Sequence, residues 1–390
     1  MVEPVRSQPT VCTDPCTGDV IGHSPVDSPE DVRRAVARAR AAQPAWAALP
    51  VRRRAAAIRR LRQILVDQAD DLAATIARDN GKTRVDALAT EVLTAVLAAD
   101  YYARKARRFL ADRRLGTGTI LLANKRSRIV RVPFGVVGIV SPWNYPFAIP
   151  FSEVVMALLA GNAVVLKVAT QTQMVGRWLE RAVQAAGLPE GLFAYVNLPG
   201  AQAGDAILAA GIDKLFFTGS VAVGKQLMAK AAATLTPVVL ELGGNDPMLV
   251  CPDADLDRAA AGAAWAGLQN AGQSCGGVER IYVHRDVYGA FLDRLGAIVR
   301  ALRVGRDTDF GVDIGAMTTH QQLETVRRHV DEAVAQGATI HAESACPKGG
   351  PGLFLPAMVL TNVTHDMLVM REETFGPVVG VMPVADMDEA

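Results

Sequence analysis

The stretch that decides the fold runs from residue 135 to residue 167 and reads GVVGIVSPWNYPFAIPFSEVVMALLAGNAVVLK. Its two ends, residues 135–140 and 163–167, are short apolar runs rich in β-branched residues, which is typical of strands buried on both faces of a sheet. Between them, residues 150–159 have a helical pattern that ends before Gly161. A helix between two such strands predicts a parallel sheet and therefore the α/β class.

A second strand, loop and helix unit lies further along the chain. Residues 214–217 read KLFF and lead into TGSVAVG at residues 218–224. Such a loop can bind a pyrophosphate through backbone N–H groups and the positive helix end, with Gly219 allowing close approach and Gly224 close helix packing. The same letters resemble a P-loop, but that motif needs Ser or Thr after its lysine, and this chain has Gln226. We therefore expect a dinucleotide site rather than an NTPase site.

Composition limits the class of partner. The 390 residues are 50% hydrophobic and 21% charged, which is ordinary for a soluble globular protein of two or three domains. Lys and Arg number 41 against 40 acids, and a net charge of +1 predicts small-molecule partners rather than nucleic acid or a membrane. The chain has five scattered cysteines and no run that resembles a leader or a membrane span, which predicts that the protein is located in the reducing cytoplasm. Cys12 and Cys16 lack a second pair or a histidine cluster, so we expect no metal site.

Two chemically distinctive residues lie 34 positions apart. Glu241 interrupts the apolar run VVLELGG at residues 238–244, and a carboxylate among apolar neighbours is either hydrogen-bonded structure or a tuned acid or base. Cys275 lies in NAGQSCGG at residues 270–277. Free cysteine is most often a small buried hydrophobe, but the glycines and the polar Gln-Ser pair favour an accessible thiol here.

These segments resemble the aldehyde dehydrogenase superfamily over nearly the whole chain. Glu241-Leu242-Gly243-Gly244 is similar to its general-base motif and Gly272-Gln273-Ser274-Cys275 to its nucleophile motif, in the family's order and spacing. The run Ser141–Pro146 is similar to its Pro-Trp-Asn motif. The resemblance implies that Cys275 attacks an aldehyde, that Asn144 and the Cys275 N–H hold the oxyanion, and that Glu241, made more basic by apolar neighbours, activates water.

The resemblance also implies a cofactor site for NAD or NADP. The run from Arg371 to Pro377 is similar to the family's Glu-Glu-x-Phe-Gly-Pro motif, in which Glu373 would bind the nicotinamide ribose and Phe375 would hold the ring. Thr170 stands where NAD-preferring members carry a glutamate, so NADP is compatible with this chain. The full set of expected cofactor residues is Val140, Ser141, Trp143, Lys167, Thr170, Gly219, Ser220, Gly224, Glu373 and Phe375.

We expect three parts in the chain. Residues 1–114 and 133–242 form a discontinuous dinucleotide-binding domain, and residues 243–390 form a catalytic domain that is incomplete at its C-terminus relative to the family. Within residues 115–132, an apolar run at 119–123 and a polar turn at 124–126 precede residues 127–131, which alternate apolar and charged, and this is a β-hairpin pattern. By resemblance the segment forms an oligomerisation arm of a homodimer or homotetramer.

The predicted function is oxidation of an aldehyde to a carboxylic acid with NAD or NADP, through a thiohemiacetal and a thioester on Cys275. Two alternatives stay open at this stage: a thiol acyl-hydrolase without redox chemistry, and a shortened non-catalytic member that acts through oligomerisation. Residues 147–149 read FAI and would form an apolar wall, which favours apolar aldehydes over charged ones.

Overall fold

The computed structural model describes residues 8–116 and 118–390. The strands, in chain order, are β1 (Thr10–Thr13), β2 (Val20–Ser24), β3 (Arg113–Leu115), β4 (Ser127–Ile129), β5 (Val136–Val140), β6 (Ala163–Lys167), β7 (Phe193–Tyr195), β8 (Lys214–Gly219), β9 (Val238–Leu242), β10 (Asp246–Val250), β11 (Val278–His284), β12 (Thr339–Glu343), β13 (Met358–Thr361) and β14 (Val378–Val384).

The α-helices are α1 (Pro29–Ala47), α2 (Val51–Asp67), α3 (Ala69–Asn80), α4 (Arg84–Asp86), α5 (Leu93–Phe109), α6 (Ala148–Leu159), α7 (Gln173–Ala185), α8 (Gly200–Ala209), α9 (Val221–Ala232), α10 (Leu256–Leu268), α11 (Arg285–Ala301), α12 (His320–Ala335) and α13 (Leu368–Arg371). A π-helical turn, Ala87–Val92, joins α4 to α5, and 3₁₀ turns form at Ile120–Leu122, Thr170–Thr172 and Gln269–Gly272.

The first sheet confirms the predicted α/β class. Its order is β7-β6-β5-β8-β9, and each neighbouring pair is parallel. Strands β5 and β6 are the two apolar runs predicted from the sequence, and every residue in both is buried. In a parallel sheet the carboxyl ends of the strands meet at one edge, and this edge carries Val140, Lys167, Gly219 and Leu242.

The second sheet has the order β10-β11-β14-β13-β12, with only the β12–β13 pair antiparallel. It encloses its own apolar core, which runs in sequence from Val250 to Val384, whereas the first sheet's core runs from Val32 to Leu227. Two sheets with separate cores agree with two α/β units. The boundaries proposed at residues 114, 133 and 242 remain a prediction.

The predicted hairpin is present, but its first strand was placed wrongly. The structure pairs β3 with β4, Arg113 opposite Ile129, and folds Ile120–Leu122 into a 3₁₀ turn inside the connecting loop. The apolar run at residues 119–123 was misleading because the strand that pairs with β4 lies before the glycines rather than after them. Ile120 and Leu121 are almost fully exposed. In the described part of the chain, no helix is both long enough and apolar enough to cross a membrane.

Candidate active site

A cleft of about 740 Å³ opens at the carboxyl edge of the first sheet, where it meets the second sheet's loops. Eight of the predicted site residues line it: Trp143, Asn144, Gly219, Ser220, Glu241, Cys275, Glu373 and Phe375. The lining also contains residues that the sequence did not single out for the site: Pro142, Thr218, Leu242, Gly243, Gln322 and Thr325. The fold therefore brings together the three proposed catalytic residues, although they are 34 to 131 positions apart in sequence.

The loop before Cys275 has an unusual backbone. Asn270, Ala271 and Gly272 have consecutive positive φ angles of 53°, 53° and 69°. Only glycine adopts this conformation freely, and an alanine in it costs about 1–2 kcal/mol, a strain that other contacts must offset. A side chain at position 272 would overlap the carbonyl oxygen of Gly376, so two loops of the site touch backbone to backbone here. Close approach of these loops requires glycine.

Gln273, three residues into this loop, is fully buried. Its side-chain amide donates to the Asn270 carbonyl at 3.0 Å and accepts from the Thr318 N–H at 2.9 Å. Its polar atoms are therefore satisfied inside the protein, and the polar Gln-Ser pair accompanies an accessible Cys275 thiol although Gln273 itself is buried.

The Cys275 side chain is exposed to the cleft, as predicted. Partial burial raises the pKa of its thiol, and the negative charges of Glu373, Glu241 and Asp246 raise it further, while the residue's own N–H acts in the opposite direction. The resting group is therefore held as a thiol, and a nearby base or positive charge is needed to produce the nucleophilic thiolate.

Glu241 lies on β9, opposite Thr218 of β8, and faces the cleft. The expectation that apolar neighbours would enclose it was wrong: the residue is exposed, because β9 is the edge strand of the first sheet and its residues are at most half-buried. An exposed carboxylate has room for a water molecule beside it, which a general base requires.

The buried carboxyl of this region is Glu153, on α6. Burial raises its pKa to about 8, the charge of Glu241 adds to the shift, and the nearby Thr218 hydroxyl opposes it. Its Oε2 atom and the Thr218 hydroxyl each lack a hydrogen bond of good geometry among the described residues. The sequence pattern missed Glu153 because a single acid on an apolar helix was taken as part of the scaffold.

Asn144 follows β5 and is almost completely buried. Its side-chain amide donates to the Gln273 carbonyl at 3.1 Å, which fixes the side chain beside the Cys275 loop and leaves its second N–H for another acceptor. The Asn144 carbonyl accepts from the Asn270 amide at 3.0 Å. Two loops from different sheets are therefore hydrogen-bonded to each other at the predicted oxyanion donor.

The predicted nicotinamide residues form one side of the cleft. Trp143 and Phe375 meet edge to face, with ring centroids 5.5 Å apart. The Glu373 carboxylate accepts the Gly244 N–H at 3.2 Å, and burial raises its pKa. This loop is held from behind by Glu279, a second residue that the sequence did not reveal, whose carboxylate accepts the N–H groups of Thr374 at 2.7 Å and Phe375 at 2.8 Å.

The remaining predicted cofactor residues lie along the same edge but outside the cleft lining. Val140 and Lys167 are opposite each other, and the Ser141 N–H donates to the Lys167 carbonyl at 3.0 Å. Lys167 is buried, and burial alone lowers the pKa of its ammonium group to about 8. The Ser141 hydroxyl is buried without a partner among the described residues, and Thr170 begins a 3₁₀ turn three residues after Lys167.

The glycine loop has the predicted strand, loop and helix form. Ser220 is the N-cap of α9, and a Cβ on Gly224 would meet Leu242 at 2.7 Å, so this glycine lets the helix pack closely on β9. A Cβ on Gly219 would meet the Phe217 ring at 2.7 Å. The helix N-terminus, an unpartnered hydroxyl at Ser141 and a buried ammonium at Lys167 form a donor set that fits an anionic dinucleotide.

The expected apolar wall after Asn144 was partly wrong. Phe147 is fully buried in the first core, stacked on Phe151 with centroids 5.3 Å apart and edge to face with Trp178 at 5.6 Å. It faces away from the cleft because the chain turns into α6 at Ala148. The preference for apolar aldehydes that rested on Phe147 therefore has no support from the structure.

The comparisons with known proteins agree with this site. Residues 2–390 match the model of the aldehyde dehydrogenase family, so the chain belongs to that family. A provisionally named succinate-semialdehyde dehydrogenase (NADP+) 2 from Mycobacterium tuberculosis strain H37Rv is 41% identical over all of this chain and 74% of its own length. The 4,4'-diapolycopene aldehyde oxidase of a Methylomonas species is 39% identical over 96% of this chain and 70% of its own.

Solved structures give the same result. An aldehyde dehydrogenase from Brucella melitensis biovar abortus 2308 superposes with a TM-score of 0.93 at 35% identity, over 98% of this chain and 78% of that one. A succinate-semialdehyde dehydrogenase from Burkholderia pseudomallei gives 0.93 at 36% identity, with the same coverage. The predicted function, oxidation of an aldehyde with NAD or NADP, is confirmed, and neither the redox-free hydrolase nor the non-catalytic alternative is favoured.

Proposed function

We propose that Cys275 is the nucleophile of this oxidation and Glu241 its general base. The observation that supports this most directly is that the exposed thiol, Glu241 and Asn144 line one cleft. Once the thiol has lost its proton to solvent in the open cleft, the sulfur adds to the aldehyde carbon. The new oxyanion accepts hydrogen bonds from the free N–H of Asn144 and from the Cys275 backbone, and such contacts contribute about 3 kcal/mol in acyl-transfer enzymes.

A nicotinamide held by Glu373 and Phe375 would supply the hydride acceptor. Once hydride has left the thiohemiacetal, the carbonyl re-forms as a thioester on Cys275. Water then attacks this thioester, Glu241 takes the proton from the water, the C–S bond breaks and the carboxylic acid leaves. Because Glu241 is exposed on β9, it can exchange that proton with solvent before the next turnover.

Variants at these positions separate the two chemical steps. Cys275→Ala should abolish reduction of NAD(P), whereas Cys251→Ala, a matched change at an exposed cysteine outside the cleft lining, should stay within about twofold of wild type. Glu241→Gln should keep the first-turnover burst of reduced nicotinamide and slow steady-state turnover by about 10²-fold. A steady-state rate equal to wild type in Glu241→Gln would refute the base assignment.

For the cofactor we propose that NADP is accepted at least as well as NAD. The buried ammonium of Lys167 and the neutral Thr170 hydroxyl both suit a 2'-phosphate, and neither adds a negative charge next to it. The test is to measure the first-turnover burst of reduced nicotinamide at increasing concentrations of each cofactor in turn, which gives a dissociation constant for each. A dissociation constant for NADP more than tenfold weaker than for NAD would contradict the proposal.

For the substrate we propose an uncharged aldehyde. The two relatives above are named for opposite kinds of aldehyde, a short anion and a long apolar chain. Sequence identity alone therefore does not decide which kind of aldehyde this chain oxidises. Three carboxylates act on the Cys275 sulfur, and the described lining of the cleft contains no Lys or Arg to offset them near an anionic substrate. The test is the ratio of kcat/KM for butanal to that for succinate semialdehyde at low and high salt. A ratio below one at low salt would favour the semialdehyde instead.

We further propose that the β3–β4 hairpin mediates homo-oligomerisation. Ile120 and Leu121 are 89% and 87% exposed at its tip, more than apolar side chains of a free monomer usually are. The test is to compare the sedimentation of wild type with that of the variants Ile120→Lys and Leu121→Lys. An unchanged mass of the assembly would exclude the hairpin as the contact between subunits. The cytoplasmic location inferred from composition stays a prediction.

A further inference from the structure

The turn that carries Asn144 is held by two charged residues from a distant part of the chain. Lys82 follows α3, and Glu91 lies in the π-helical turn Ala87–Val92. The Lys82 ammonium and the Glu91 carboxylate are 2.6 Å apart, and both side chains are completely buried. π-helical turns are rare and recur at functional sites, where they redirect one side chain out of the helical repeat.

Both members of this pair also bind the backbone of the turn. The Lys82 ammonium donates to the Asn144 carbonyl at 2.9 Å. The second Glu91 oxygen accepts the N–H groups of Phe147 at 2.9 Å and Ala148 at 2.8 Å. The lysine also lies 4.4 Å from the centroid of the Tyr145 ring. The pair therefore contacts the turn at four of the five residues from Asn144 to Ala148.

Stability alone does not account for this arrangement. A fully buried ion pair recovers its desolvation cost only when further hydrogen bonds satisfy both charges, and apolar residues of similar volume often stabilise a fold equally well. Here the further hydrogen bonds go to the turn, and the Asn144 carbonyl is in turn bonded to the Asn270 amide of the nucleophile loop. The Asn144 carbonyl is therefore bonded both to the buried ion pair and to the loop that carries Cys275.

We propose that Lys82 and Glu91 are positioning residues for aldehyde oxidation, which act by holding the Asn144 amide where the oxyanion forms. The inference rests on the role proposed above for Asn144. Neither charged group lines the cleft, so neither is expected to touch substrate or cofactor. Loss of either should lower the rate of the chemical step and leave cofactor binding unchanged.

A double-mutant cycle on the full chain tests this. The variants are Lys82→Met, Asn144→Ala and their combination. Asp100→Asn controls for the loss of an ion pair away from the turn, because the half-buried Asp100 on α5 pairs with Arg62 at 2.8 Å and with Arg104 at 2.7 Å. The measurement is the first-turnover rate of reduced nicotinamide with butanal, together with the cofactor dissociation constant. Lys82→Met should slow the burst by about tenfold or more in wild type and by less than about threefold in Asn144→Ala, because a positioning residue has nothing to position once the amide is gone.

The outcomes separate the two proposals. If Asn144→Ala leaves the burst unchanged, the proposed role of Asn144 fails. If Asn144→Ala slows the burst and Lys82→Met costs the same factor in both backgrounds, the positioning role is overturned while that of Asn144 stands. Should Lys82→Met not fold, the cycle is run with Lys82→Gln and Glu91→Gln, which keep a hydrogen-bonding group in place. A weakened cofactor affinity with an unchanged burst would also overturn the inference.

Discussion

Replacing Gly272 by alanine tests the contact between the two loops of the site. The residue has a φ of 69°, and its Cβ would overlap a backbone oxygen, that of Gly376, rather than the end of a flexible side chain. The left-handed conformation costs alanine about 1–2 kcal/mol and an overpacked contact about 1–3 kcal/mol more. We therefore expect Gly272→Ala to lower the free energy of unfolding by about 2–5 kcal/mol.

The same change should affect the chemistry more than a general loss of stability would. Gly272 is three residues before Cys275, and Gly376 directly follows Phe375, so separation of the loops moves the nucleophile away from the nicotinamide site. A displacement of about 1 Å can cost about 10²-fold in rate. The burst of reduced nicotinamide should fall by about this factor under conditions in which the variant remains folded.

The assay pairs urea unfolding, followed by far-ultraviolet circular dichroism, with the first-turnover burst. Gly276→Ala is the matched control, because a Cβ there meets nothing within 4 Å and the residue has no positive φ. The control should unfold within about 0.5 kcal/mol of wild type. If Gly272→Ala matched the control in stability and kept its burst within about threefold, the reasoning about backbone contact would be refuted.

Other changes have directions that follow from the charges and the residue roles proposed above. Glu241→Gln removes one charge that raises the pKa of the Cys275 thiol, so iodoacetamide should alkylate this cysteine faster at pH 7; an unchanged rate would mean that the carboxylate does not act on the sulfur. Thr170→Glu should weaken NADP relative to NAD by about tenfold or more, since the new carboxylate would face the 2'-phosphate, and equal binding of both cofactors would place the phosphate elsewhere. Burial raises the pKa of Glu153 from 4.5 to about 8, so its neutral form stabilises the fold below pH 4.5 and that contribution is lost as the pH rises to 8. The free energy of unfolding of Glu153→Gln should therefore rise relative to that of wild type as the pH rises across this range. If the two plots of unfolding free energy against pH ran parallel, the raised pKa of Glu153 would be contradicted.

The sequence predicted the first sheet well because its strands are defined by local pattern. Strands β5 and β6 are continuous apolar runs, and such runs are typical of strands that a parallel sheet buries on both faces. The hairpin was predicted less well, since β3 and β4 are exposed and their register depends on the turn rather than on a buried face. The position of an exposed strand is not encoded in hydrophobic alternation alone.

In the site, too, local motifs were predicted well and features that depend on tertiary arrangement were not. Motifs indicated Cys275, Glu241 and Asn144, and the structure placed them in one cleft. Burial could not be deduced in the same way: Glu241 is exposed because its strand lies at the sheet edge, a fact of tertiary order rather than of neighbours in sequence. Lys82 was missed because its distinguishing contacts, with Glu91 and with a turn 62 residues away, are not recorded by any local pattern.

The residues proposed for the chemistry come from the surroundings of two separate apolar cores. Asn144 and Glu241 follow or lie on strands of the first sheet, whereas Cys275 and Glu373 lie on loops of the second. Because the two cores are separate, we expect mild denaturant to shift the two sheets relative to each other before either apolar interior is lost. The rate of turnover therefore depends on the contact between the two halves as well as on the folding of each. Mild denaturant should abolish turnover at a concentration at which the circular dichroism spectrum is still native.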